Sequence, residues 1–288
     1  MDYYYKYKKY KTKYLELMGN NMTLIICGTH GMRMVCFLKS LFPSIPAKII
    51  KNCSIIRCYT HNNTTILNMI YEGESNHTND WTMNDINKYF TTSINIPLPT
   101  NTELFFVRHG HGQHNDINII DRMKTDLTDA MLTPAGVSQA ERAGGFLASY
   151  INMNYNNPNI FFEASTLRRT MQTIAIIMNK LYIEKPIHIT PCVNELPYHA
   201  NGNCDISYLN NIGNTIFKEN QPVCNDNMNG CDTINILCID CIKDKTYNIK
   251  WEYYMKFKEN NNCKDTNIIN QILECYKFYN NSNNNIVL

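Results

Sequence analysis

The sequence predicts an α/β fold, three layers (α/β/α) around a mostly parallel central sheet. Three apolar runs carry that prediction: Leu24-Ile25-Ile26-Cys27, Leu104-Phe105-Phe106-Val107 and Ile160-Phe161-Phe162. Each is short and continuous, the pattern of a strand buried on both faces. The first and third lead through a turn into residues with helical spacing, the second reaches a helix later at Pro134, and such alternation of strand and helix builds parallel sheets. The first two runs lead into Thr29-His30-Gly31 and Arg108-His109-Gly110. Ligands of open α/β sheets bind just past the carboxyl ends of such strands, so both histidines fall where chemistry is expected.

The elements follow in order. Residues 1–20 read as an appended amphipathic helix, with Tyr3, Tyr7, Tyr10, Tyr14, Leu17 and Met18 on one face and lysines on the other. Residues 21–75 read as a strand ending at His30, a helix carrying Val35, Phe37, Leu38 and Leu41, and a hairpin of Lys51–Cys58 with Thr65–Tyr71. Residues 76–100 read as a linker and 101–197 as the core that holds Arg108 and His109. Within that core, Thr133 is placed to cap a helix that has Pro134 at its first position and Ala140, Ala143, Phe146 and Leu147 on its inner face. The run ending at Ala164 leads into Ser165 and a helix whose first turn holds Arg169, and free N–H groups at such a terminus suit an anion. Residues 198–262 read as an Asn- and Cys-rich insertion placed to act as a lid, in which Trp251, Tyr253 and Tyr254 anchor the next helix. Residues 263–288 read as a helix and a last strand, whose Asn283–Leu288 is similar to Asn20–Ile25.

Composition narrows the function. A net charge of +2 over 288 residues gives no electrostatic case for nucleic acid or an anionic membrane. No apolar run approaches the roughly 18–20 residues of a membrane span, and the N-terminus lacks a signal-peptide pattern, so a cytoplasmic protein is expected. The 12 cysteines are then expected as thiols, with Cys27, Cys36, Cys53 and Cys58 in the core. Cys224, Cys231, Cys238 and Cys241 contain only one close pair where structural zinc uses two, so no metal site is expected.

The stretch Arg108-His109-Gly110-His111-Gly112-Gln113-His114-Asn115 resembles the signature of the histidine phosphatase superfamily, the phosphoglycerate-mutase-like phosphatases. Three further segments strengthen the resemblance. Leu132-Thr133-Pro134-Ala135-Gly136 leading to Gln139-Ala140 is similar to the family's helix behind the catalytic strand. Ser165-Thr166-Leu167-Arg168-Arg169-Thr170 is similar to its phosphate-binding segment, with Arg169 at the matching position and Arg168 on a variable, solvated one. Asn194-Glu195-Leu196 is similar to its acid loop.

The resemblance implies that His109 becomes phosphorylated and that Arg108, Arg169, Asn115 and Gln113 bind the phosphoryl group. Glu195 protonates the leaving oxygen, with His199 as the rival donor. The family's second histidine normally follows near the C-terminus, but no His follows His199 here. His30 takes that role if residues 21–75 are a transposed C-terminal portion, a circularly permuted order. No cofactor is implied, and the implied partner is a phosphorylated small molecule or phosphoprotein. A phosphatase is expected before a mutase; an inactive phosphate- or phosphoprotein-binding module is the alternative. The Tyr/Lys-rich helix and the Asn runs resemble those of giant DNA virus proteins.

Overall fold

A computed structural model describes residues 22–46, 48–74, 80–90, 98–116, 129–190, 193–194, 233–234, 247–257 and 268–284. The strands are β1 (Thr23–Thr29), β2 (Ile55–His61), β3 (Thr64–Tyr71), β4 (Thr102–Arg108), β5 (Asn159–Ala164), β6 (Ile187–Ile189), β7 (Thr233–Ile234) and β8 (Tyr247–Lys250). The helices are α1 (Gly31–Leu41), α2 (Met83–Phe90), α3 (Pro134–Asn154), α4 (Arg168–Lys180), α5 (Glu252–Phe257) and α6 (Ile268–Asn284).

The expected α/β architecture is present. The sheet order is β3-β2-β4-β1-β5-β6-β8-β7. The five strands from β4 to β8 in that order pair in parallel. The β2–β3 hairpin adds antiparallel pairs at one edge, and β7 adds another beside β8. Strand β1 lies between β4 and β5, although it precedes both in the chain by many residues.

Side chains alternate across a strand, so an apolar run feeds two cores. One core joins Leu24, Ile26, Phe105, Val107, Ile160 and Phe162 to Ala140, Ala143 and Leu147 of α3 and to Ile174 and Ile177 of α4. The other joins Ile25, Cys27, Leu104 and Phe106 to Phe37 and Leu38 of α1 and to Ile268 and Ile272 of α6. Burying each such side chain stabilises the fold by about 1.5–3 kcal/mol. Thr133 caps α3 as expected: its side chain accepts from Gly136 N at 3.2 Å, and Pro134 opens the helix.

Several sequence expectations need correction. The stretch taken as a linker contains α2, which is fixed to the hairpin because Asn87 bonds both N and O of Met69. The stretch taken as an insertion contributes β8, whose Ile249 lies in the first core, although the expected anchoring of the next helix holds, since Tyr253 donates its N–H to Tyr279 Oη of α6 at 3.1 Å. Cys36 is disulfide-bonded and not a thiol. Arg168 is not simply solvated; its backbone N–H and guanidinium both meet Asp129. The last strand, expected over Asn283–Leu288, does not begin at Asn283, since Asn283 and Asn284 end α6; residues 285–288, the N-terminal Tyr/Lys helix, Cys224, Cys231, Cys238 and Cys241 lie outside the described residues.

Candidate active site

Adjacent parallel strands that end at one level bring distant residues together. Arg108 at the end of β4 is registered opposite Thr29 at the end of β1. His109 donates its backbone N–H to Thr29 O at 3.0 Å, and Ser165, just past β5, donates to Gly28 O at 3.2 Å. His30, His109 and Ser165 are therefore neighbours, and all three are buried. The imidazole centroids of His30 and His109 are 5.0 Å apart.

The state of His109 follows from its hydrogen bond. Its Nδ1 lies 2.7 Å from Gly110 O. A carbonyl only accepts, so Nδ1 carries the proton and Nε2 carries the lone pair. Gly110 is itself held, donating its N–H to Thr173 Oγ1 at 3.0 Å. The Thr173 hydroxyl donates to Arg169 O at 2.8 Å. Burial, and then the Coulombic cost of adding a proton beside the basic groups of Arg169, His30, Arg108 and His114, hold the His109 imidazole well below the usual histidine range. At neutral pH it is an uncharged base with a directed lone pair, the form a nucleophile needs.

Arg108 is buried beside it and donates through Nη1 to Ile50 O. The segment before β2 wraps this residue: Arg108 N donates to Ser54 O, and Cys53 N donates to Arg108 O at 3.1 Å. Cys53 takes φ 60 to do so, a conformation costly for a side chain with Cβ. The guanidinium also lies over Gly31, where a Cβ would come within 2.8 Å of Arg108 Nε. Arg169, in the first turn of α4, is 3% exposed. The loop after His109 is closed by the start of α3, where a Cβ on Gly136 would lie 2.1 Å from His111 O.

The other sequence candidates divide. Asn115 lies in the 3-10 turn Gln113–Asp116, where its Oδ1 accepts from Gly112 N at 2.8 Å. Gln113, in the same turn, is exposed. Glu195 and His199 lie outside the described residues. The two residues before Glu195 are pinned, since Val193 O accepts from Thr29 Oγ1 at 2.8 Å and Asn194 Oδ1 accepts from Thr166 N at 2.9 Å.

Sequence reasoning gave no role to His114 or Ser165, which lie near this centre, nor to Arg33 in the helix that begins after His30. His114 brings its ring within 5.5 Å of His109's; its place in the same short loop was the available signal. Arg33 is fully buried in α1, the helix that His30 caps. Ser165 lies 2.7 Å from His30 Nε2.

Two histidines, Arg108 and Arg169 thus converge where the strands end, an arrangement suited to a doubly charged anion. Residues 104–202 match the family model of the histidine phosphatase superfamily (branch 1). Phosphatase or phosphotransferase chemistry is therefore supported in general, since members of that superfamily are usually phosphatases or mutases. The superfamily match takes in Arg108, His109, Arg169 and Glu195 and leaves out His30. No curated protein and no solved structure matches the chain. No helix among the described residues is long and apolar enough to cross a membrane.

Proposed function

We propose that this protein is a phosphatase that hydrolyses a phosphomonoester through a phosphohistidine on His109. The observation that carries the reading is the hydrogen bond from His109 Nδ1–H to Gly110 O in a buried cationic setting. Nε2 attacks phosphorus, and the bond from phosphorus to the leaving oxygen breaks. Glu195 gives that oxygen a proton; the anchoring of Val193 and Asn194 beside β1 and α4 supports this role. Water then attacks the phosphohistidine, its proton returns to Glu195, the P–N bond breaks and inorganic phosphate leaves. Arg108, Arg169 and His30 offset charge on the equatorial oxygens, with Asn115 Nδ2 and Gln113 as neutral donors. These side chains supply the positive charge, so the scheme calls for no metal or cofactor.

The substrate is a phosphorylated small molecule or phosphoprotein. We read residues 22–74 as the transposed end of the superfamily fold, because β1 sits between β4 and β5 and sets His30 beside His109. Phosphate release from a panel of phosphorylated metabolites and phosphopeptides tests the activity. Release from at least one class is expected, with Glu195→Gln most impaired on substrates with poor leaving groups. Phosphate binding without any release would point to an inactive binding module, and transfer to an acceptor without release to a mutase.

A further inference from the structure

Ser165 is fully buried between β5 and α4, and its hydroxyl oxygen meets three groups. His30 Nε2 lies at 2.7 Å, Thr170 Oγ1 at 2.6 Å, and the Leu167 N–H donates to it at 3.2 Å. Thr170 fixes the direction of these bonds. Its Oγ1 lies 2.6 Å from Leu167 O, and a carbonyl can only accept, so the one hydroxyl proton of Thr170 goes there. Thr170 Oγ1 must then accept from Ser165. Ser165 has given its proton to Thr170, so towards Leu167 N–H and His30 Nε2 it acts only as an acceptor. A hydroxyl oxygen has two lone pairs, and both are now filled. His30 Nε2 has to be the donor.

We propose that Ser165 and Thr170 are positioning residues that hold His30 as its Nε2–H tautomer and so leave Nδ1 as the ring nitrogen that carries its lone pair. The functional half rests on the phosphatase reading; the tautomer does not. The two histidines of the site then have opposite tautomers, His109 protonated at Nδ1 and His30 at Nε2. The difference fits two roles. His109 keeps Nε2 as the attacking lone pair. His30 has Nδ1 as the position that gains a proton when a phosphoryl dianion arrives, becoming a charged donor to it while Ser165 still orients the ring.

The test uses the full chain labelled with nitrogen-15. Long-range proton–nitrogen spectra distinguish a protonated ring nitrogen from a bare one, and the His30 signals are assigned by their loss in His30→Gln. With His30 neutral, the wild type should show a protonated Nε2 and a bare Nδ1. Thr170→Val removes the acceptor for the Ser165 proton and should turn that proton toward His30, inverting the tautomer. Thr170→Ser keeps the hydroxyl and should keep the wild-type tautomer, which separates hydrogen bonding from packing.

With p-nitrophenyl phosphate, Ser165→Ala should lower kcat about 10- to 100-fold, by analogy with the loss when a partner orienting a metal-bound histidine is removed. KM should change far less. A wild-type His30 protonated at Nδ1 with Nε2 bare would overturn the proposal, as would a Thr170→Val tautomer identical to wild type. The predicted tautomers in a wild-type protein that releases no phosphate would support the positioning and strike at the phosphatase reading alone.

Discussion

Glu163→Gln should alter the pH dependence of stability in a direction fixed by the fold. Glu163 lies on β5, two residues before Ser165, and is fully buried. Burial pushes its carboxyl well above the usual range; the hydrogen bond from Thr190 acts the other way and is the smaller effect. In the unfolded chain the same group ionises near about pH 4.3. Between that pH and its folded value, the native state holds a proton that the unfolded state has lost. Its stabilising contribution is thus fully present below the unfolded value and is lost as pH rises through the folded one. The slope is about 1.4 kcal/mol per pH unit. From about pH 5.5 to about pH 7 the wild type should therefore lose stability through this group, by at most about 2 kcal/mol. Gln keeps an oxygen for Thr190 and does not titrate. Urea unfolding followed by circular dichroism at both pH values measures the difference between variant and wild type. That difference should grow in favour of Gln as the pH rises, by no more than about 2 kcal/mol. The subtraction removes the histidines, which act with the opposite sign: His109 and His188, the latter held down to about 3 by burial, stay neutral in the fold and lower stability when the pH falls. Parallel profiles for the two proteins would show that Glu163 is ionised in the fold and would refute the reasoning.

Two further substitutions probe the phosphate site. Arg169→Ala removes a buried charge that acts on His109, and kcat/KM in a steady-state phosphate-release assay should fall by about 10²–10³, as when one donor to transition-state charge is lost. Gly31→Ala introduces a Cβ 2.8 Å from Arg108 Nε and should displace that guanidinium; KM for a phosphomonoester should rise by roughly tenfold, or about 1.4 kcal/mol, with the circular dichroism spectrum unchanged.

Much of the scaffold was legible because it obeys local rules. The runs at β1 and β4 are buried over their whole length, and continuous apolar sequence is what two-sided burial demands. The Thr133-Pro134 start of α3 is local capping chemistry. By contrast, α2 is a short helix whose place is set by Asn87 reaching the hairpin. Strand β8 has four residues and belongs to the sheet through its pairing with β6, a contact between segments far apart in the chain. The site shows the same division. His109, Arg108 and Arg169 lie in recognisable strand-turn and turn-helix segments. The link from Ser165 to His30 spans 135 residues, and nothing local to Ser165 announces it. Arg33 lies in the stretch read as a helix and is fully buried, which nothing in its own sequence announces.

Trapping the covalent intermediate tests the central claim most directly. The protein is mixed with a phosphomonoester labelled in its phosphoryl group and quenched rapidly in alkali or in acid. The account predicts label that survives alkali, is lost in acid, maps to the peptide containing His109, and disappears together with phosphate release in His109→Ala. Label on another residue, or turnover by His109→Ala at the wild-type rate, would contradict it.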